Sequence, residues 1–141
     1  MPKKIKLQEK KDTRTTPQAS QKQITYEDCT GRIAFSKVCD RHCLLSDWDK
    51  KELKLLIDCF KKIESMCWKD IKSYNGFNYE TIKHIAITPP SSLPPDATLK
   101  SLKLNDDHRL YGYRAQDTFN IIWFDKTHMV CPMNKQKKYA I

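Results

Sequence analysis

Arg109-Leu110-Tyr111-Gly112-Tyr113-Arg114-Ala115 and Thr118-Phe119-Asn120-Ile121-Ile122-Trp123-Phe124 are separated only by Gln116-Asp117, and on this stretch the fold turns. Both runs are rich in aromatic and aliphatic residues, and a two-residue polar break between such runs is the signature of a β-hairpin. A turn of that length fixes the register, because side chains alternate strictly between the two faces of a sheet. Ala115 then lies opposite Thr118. One face carries Leu110 opposite Trp123, Gly112 opposite Ile121 and Arg114 opposite Phe119. This face is mostly apolar, Gly112 leaves space for a bulky neighbour, and it is expected to lie on the core. The other face carries Arg109 opposite Phe124, Tyr111 opposite Ile122 and Tyr113 opposite Asn120, and is expected to meet solvent. His128 joins this second face by parity if the strand continues past Phe124.

Upstream, Leu99–Leu104 reads as a further strand, and Asn105-Asp106-Asp107 is the polar turn that leads into the hairpin. These three strands predict an antiparallel meander. The four prolines among Thr88-Pro89-Pro90-Ser91-Ser92-Leu93-Pro94-Pro95 make a stiff connector ahead of it. Tyr79 to Ile87 reads as extended. Ser46-Asp47-Trp48-Asp49 resembles a capping box, and Trp48, Leu55, Leu56, Cys59, Phe60 and Ile63 follow at helical spacing, predicting an amphipathic helix from about Ser46 to Glu64. Ser65 is expected to cap a second, shorter helix with Met66, Trp68 and Ile71 inward, ended by Asn75-Gly76. Ile33 and Phe35 alternate with polar or small neighbours in an earlier strand. The fold class is therefore α+β: strand, two helices, then a three-stranded antiparallel meander.

The chain of 141 residues is long enough for one ordinary domain. Its formal net charge of +9 is uneven: residues 1–23 hold +5, residues 134–141 hold +3, and residues 24–133 only +1. The expected organisation is a disordered basic tail over 1–23, a single domain over 24–133 and a basic C-terminal tail over 134–141. Basic tails suit nucleic acid, and equally a solubilising role. No apolar run is long enough to span a membrane, and the N-terminus carries no secretory pattern. With two of the six cysteines on a helical pattern, reduced thiols and a cytoplasmic protein are expected.

Cys39-Asp40-Arg41-His42-Cys43, with Cys29 further off, collects soft donors, but the spacing is not a familiar zinc signature, and the segment reads as a turn leading into the helix. No metal or other cofactor is expected. Gly31, Gly76 and Gly112 are the three glycines, so no Gly-rich phosphate loop exists. His42, His84 and His108 carry no signal individually. The second sheet face does: Arg grips phosphate in a bidentate way, Tyr rings stack on bases, and His titrates near neutral pH. The plain alternative is that tyrosines are ordinary strand formers and Arg109 a solvated charge.

The stretch from His108-Arg109-Leu110 to Arg114, then Phe119 to Trp123, then His128, resembles the C-terminal half of RelE/YoeB-type bacterial toxins, which are ribosome-dependent mRNA endonucleases. That resemblance implies a RelE-like fold, a metal-independent endoribonuclease, RNA or the ribosome as partner, and an antitoxin protein. It implies Arg109 as stabiliser of the scissile phosphate and His128 as proton donor. Asp96, in Pro95-Asp96-Ala97-Thr98-Leu99-Lys100, would be the acidic group that assists removal of the 2′-hydroxyl proton. Tyr111, Tyr113, Arg114 and Lys126 would bind RNA. Met129 stands where the family often has an aromatic residue, and the near-neutral core contrasts with strongly basic family members. The other expectation is a non-catalytic interaction protein, phage-derived or related to host defence, that binds protein or nucleic acid through the sheet face and basic tails.

Overall fold

A computed structural model describes residues 25–132; the tail expectations for 1–23 and 134–141 fall outside the described residues. The class is α+β, with a five-stranded mixed sheet and two helices. The elements are β1 (Arg32–Ala34), α1 (Lys50–Glu64), α2 (Trp68–Ser73), β2 (Glu80–Thr81), β3 (Lys100–Lys103), β4 (Arg109–Ala115) and β5 (Thr118–Asp125). The sheet order is β1-β5-β4-β3-β2, which corrects the expected three-stranded meander. Beyond the antiparallel pairs of β3, β4 and β5, the short β1 joins β5 in parallel and β2 extends the β3 edge.

The hairpin turn lies at Gln116-Asp117, with Gln116 in the left-handed region at φ 62°. Ala115 pairs with Thr118 and Gly112 with Ile121, but the next pair is Tyr111 with Trp123. Ile122 is therefore an extra residue in β5, a bulge that reverses the parity beyond it. Leu110 faces Phe124 and Arg109 faces Asp125, so the expected Leu110–Trp123, Tyr111–Ile122 and Arg109–Phe124 pairs are corrected. The bulge has an outside partner: the Ile122 carbonyl accepts the N–H of Cys39, and the Cys43 carbonyl accepts the N–H of Phe124. The Cys39–Cys43 segment thus runs along β5.

On one side of the sheet the helices bury Leu56, Cys59, Ile63, Trp68 and Ile71 against Leu102, Leu110, Phe119, Ile121 and Phe124. The other side is covered as well. Ile82, Ile85, Ile87, Leu93, Ala97 and Leu99, from the connector between β2 and β3, pack over Tyr111, Tyr113, Ile122 and Trp123, together with Cys39 and Val130. Tyr111 is 2% exposed and Tyr113 8%, which corrects the expectation of a solvent-facing sheet. The isoleucines of the connector have apolar area to bury, and the sheet face is where they bury it.

α1 begins at Lys50, later than Ser46. Asp49 is the cap: its carboxylate accepts the Glu52 N–H at 2.9 Å, and the Glu52 carboxylate accepts the Asp49 N–H at 2.7 Å. That is a full capping box, with a Glu in the third position, and it outcompetes the Ser46 alternative. Ser46 sits instead in a short 3-10 turn over Leu45–Asp47. α2 has no side-chain cap. The N–H groups of Trp68 and Lys69 donate to the carbonyls of Cys29 and Glu27, so the chain before β1 satisfies the helix start that Ser65 was expected to cap.

Phe60, expected inside, is only partly buried, with its ring edge-on to Phe35, while Ile63 is fully buried. Ile63→Ala is expected to cost about 2–5 kcal/mol, and Phe60→Ala less than that. A denaturant titration of both variants checks the order, and a larger loss at Phe60 would contradict the packing described.

Candidate functional site

Ser101, Arg109 and Tyr111 share the second face of the sheet, because Ser101 pairs with Tyr111 and Arg109 lies two residues before Tyr111. Where β2 and the following chain meet this face, a cleft of about 290 Å³ opens, lined also by Glu80, Lys83, His84 and Cys131. Arg109 is 9% exposed. Its one protein hydrogen bond among the described residues is from Nη1 to the Asn105 carbonyl at 2.8 Å, and it has no ion pair among them. A guanidinium carries five N–H donors, so most of this fork remains available to a ligand.

The charges around the cleft decide which groups are reactive. Burial pushes the Cys131 thiol up, and Glu80 and Asp125 push the same way while Arg109 partly offsets them. The thiol is therefore protonated and a poor nucleophile. Tyr111 is likewise raised by burial first, then by Asp125, with Arg109 opposing. It stays a phenol, able to donate a hydrogen bond to an anion. Arg109, Lys83, Tyr111 and Ser101 thus offer two cations and two hydroxyls; Glu80 is the carboxylate that lines the cleft, Asp125 lies behind it with its oxygens bonded to the loop after β5, and His84 adds an imidazole. The cleft suits an oxyanion such as a phosphate.

The other residues singled out in the sequence are placed elsewhere. Asp96 is exposed in the turn before β3, whose first residue pairs with Gly112, whereas Arg109 pairs with Lys103 at the opposite end of that strand. His128 follows β5 in a left-handed conformation at φ 58°. Its Nε2 is 3.8 Å from Asp107, and it does not line the cleft of Arg109. The loop that carries it is organised by Asp125, a carboxylate only 1% exposed that accepts the N–H groups of Thr127, Met129 and Val130. The structure therefore does not bring Arg109, His128 and Asp96 together.

Arg114 lies on the helix side, its guanidinium 4.4 Å above the Trp68 ring and bonded to Glu27 at 2.9 Å, to Gln116 and to Thr25. Lys72 holds the other Glu27 oxygen at 2.7 Å. Lys126 donates to the Asp47 carbonyl at 2.6 Å and lies 3.5 Å from Glu52. Tyr111 faces the cleft and Tyr113 is packed beneath the connector, so neither ring is open for base stacking. Glu80, Lys83, His84 and Ser101 were not singled out in the sequence. The alternation of Ser101 with Leu102 was the available signal for one of them.

A second polar cluster joins α1 to the sheet. His108 Nε2 lies 2.6 Å from Glu52, and its Nδ1 lies 2.9 Å from the Asn105 side-chain oxygen. That oxygen also accepts the N–H groups of Asp107 and His108, so the amide cannot turn its NH2 to the ring. Both ring nitrogens of His108 thus meet oxygens, which ties α1 to the turn before β4. Glu52 is held down to about 2 from the ordinary 4.5, first by the Asp49 N–H, then by His108, with the charge of Lys126 adding to both. Glu27 is lowered by Lys72 and Arg114. A depressed carboxyl contributes stability that is present above its unfolded value and is lost as pH falls toward its folded one. Thermal stability is therefore expected to decline between pH 4.5 and about 2, and Glu52→Gln should flatten that decline. Melting curves across this range check it; an unchanged slope in Glu52→Gln would contradict it.

Among the described residues, no group of three or more His, Cys, Asp or Glu side chains is placed to hold a metal ion. The six cysteines are free thiols. Cys39 is buried and its sulfur accepts the Arg41 N–H, and Cys43 is pushed up to about 12 by burial first and then by Asp125. Among the described residues, no helix is long and apolar enough to cross a membrane. No protein-family model, no curated protein and no solved structure matches the chain.

Proposed function

We propose that the domain binds RNA and acts as a binding module, with a backbone phosphate held in the Arg109 cleft. The observation that carries this reading is Arg109 itself: a largely buried guanidinium, facing a cleft, with no carboxylate partner among the described residues. Asp125, opposite Arg109 across the strands, spends its oxygens on the N–H groups of Thr127, Met129 and Val130, so a bound oxyanion would satisfy the guanidinium donors left open. Lys83 and the hydroxyls of Ser101 and Tyr111 supply further donors. The +5 over residues 1–23 and the +3 over residues 134–141 add charge that attracts a polyanion.

A ribonuclease of the RelE/YoeB kind is the second reading, and one observation favours it. His84 lines the same cleft as Arg109, so an acid–base group stands beside the cation. On this reading His84 would take the role that the resemblance implied for His128.

Electrophoresis of an end-labelled single-stranded oligoribonucleotide with purified protein separates the two. The binding reading expects a shifted, intact RNA. Cleavage by the wild type that is lost in His84→Ala or Arg109→Ala would establish the nuclease instead; the absence of any shift would remove the binding reading, and intact RNA after incubation with ribosomes added would remove the nuclease.

A further inference from the structure

The outer flank of α1 carries an apolar stripe that no described residue covers. Leu56, Cys59 and Ile63 mark the buried side of the helix. At about 100° per residue, Phe60, Leu53 and Ile57 fall together along the neighbouring flank. Leu53 is 39% exposed and Ile57 49%. Phe35, just past β1, is 51% exposed and packs against Phe60 with ring centroids 5.8 Å apart, which carries the stripe onto the sheet edge. Scattered apolar residues on a surface are ordinary, but a contiguous row of this kind is a patch.

The charge beside the stripe identifies its occupant. Lys50, Lys61 and Lys54 follow on the side away from the core, at about 60–100° from Leu53 around the helix, and all three are exposed. Lys54 meets Asp58 at 3.8 Å in a solvent-exposed pair, which holds it weakly. Lys50 and Lys61 have no carboxylate partner among the described residues. Glu64 is the one acidic residue at the C-terminal end of the stripe.

We propose that this face docks an acidic amphipathic helix of a partner protein. Its apolar side chains would cover Leu53, Ile57 and Phe35, and its Asp and Glu residues would lie along Lys50, Lys54 and Lys61. A helix fits because the stripe runs along α1 with the i, i+4 spacing of Leu53 and Ile57, the pattern that a second helix packs against. A second copy of this chain would bring its own lysine row to the same surface, like charge against like. The face is separate from the Arg109 cleft, so the inference is independent of the RNA reading.

The test uses the full chain and a display library of amphipathic helices about four turns long, with one apolar face and polar faces either Glu-rich or Lys-rich. Selection of Glu-rich members is expected. Ile57→Glu, and separately the pair Lys54→Glu with Lys61→Glu, should each weaken a selected peptide at least about tenfold by fluorescence anisotropy. Arg109→Ala should leave that affinity unchanged. Enrichment of Lys-rich members, or of none, would overturn the proposal. So would a wild-type dimer in sedimentation that Ile57→Glu dissociates, or nuclear Overhauser contacts between the Ile57 methyls and residues 1–24.

Discussion

Gly112→Ala is expected to destabilise the domain by about 3 kcal/mol or more, at the top of the range for overpacking a core. A Cβ on Gly112 would fall far inside contact distance of the Asn120 carbonyl oxygen and 2.9 Å from its carbon, with the Ile121 Cα at 3.1 Å. These are backbone atoms of the paired strand, next to the bulge at Ile122, and they cannot rotate away. Relief requires β4 and β5 to separate where the two cores meet the sheet. Gly76→Ala is the control. There the added Cβ meets the Tyr74 ring at 2.5 Å, but that ring is 38% exposed and can turn into solvent. Urea titrations of the two variants should give a large loss for Gly112→Ala and a small one for Gly76→Ala. Equal losses would contradict the close approach of the strands.

Trp68→Ala is expected to cost about 3–5 kcal/mol. Trp68 is fully buried at the first position of α2, and its indole N–H donates to the Asp117 carbonyl at 2.8 Å, tying the helix to the hairpin turn. Its ring also carries the Arg114 guanidinium at 4.4 Å and meets Tyr79 at 5.7 Å. Removing the indole leaves a cavity, takes one of two donors from the Asp117 carbonyl, which keeps the Arg32 N–H, and removes the surface on which Arg114 stacks. Trp68→Phe keeps an aromatic ring but loses the donor, and should fall between wild type and Trp68→Ala. Chemical denaturation checks both; a loss below about 1 kcal/mol in Trp68→Ala would contradict the packing.

The residues closest to the hairpin turn were legible in the sequence. Ala115 with Thr118 and Gly112 with Ile121 follow from a two-residue turn alone. Past Ile122 the same parity gives wrong partners, because a bulge adds a residue without a local signature. What supports the bulge is the N–H of Cys39, more than eighty positions away. The amphipathic period of α1 was legible, while its start was displaced by a stronger capping pair at Asp49 and Glu52. β1 was legible as a strand but not as the parallel neighbour of β5, since nothing within three residues specifies a distant partner. The covered second face was hidden for a different reason. Four prolines made the connector read as a spacer, yet Ile82, Ile85, Ile87 and Leu93 form a lid over Tyr111 and Tyr113.

That lid reshaped the site. Of the residues expected to bind RNA, Arg114 and Lys126 are engaged by neighbouring groups, and the two tyrosines are buried. Arg109 was identified correctly as a cation on the second face, but its neighbours are Lys83, His84 and Ser101, brought by β2, β3 and the chain between them. Sequence separation concealed that grouping.

The most direct test is RNA affinity at one fixed ionic strength, measured by anisotropy on a labelled single-stranded oligoribonucleotide for wild type, Arg109→Gln and Lys126→Gln. A charge-assisted hydrogen-bonding contact contributes on the order of 1.5–3 kcal/mol, so Arg109→Gln should weaken binding roughly tenfold to a hundredfold. Lys126→Gln, whose ammonium is already held by Asp47, should remain within about threefold of wild type. Equal affinity of Arg109→Gln and wild type, or a larger loss in Lys126→Gln, would contradict the assignment of the cleft as the phosphate site.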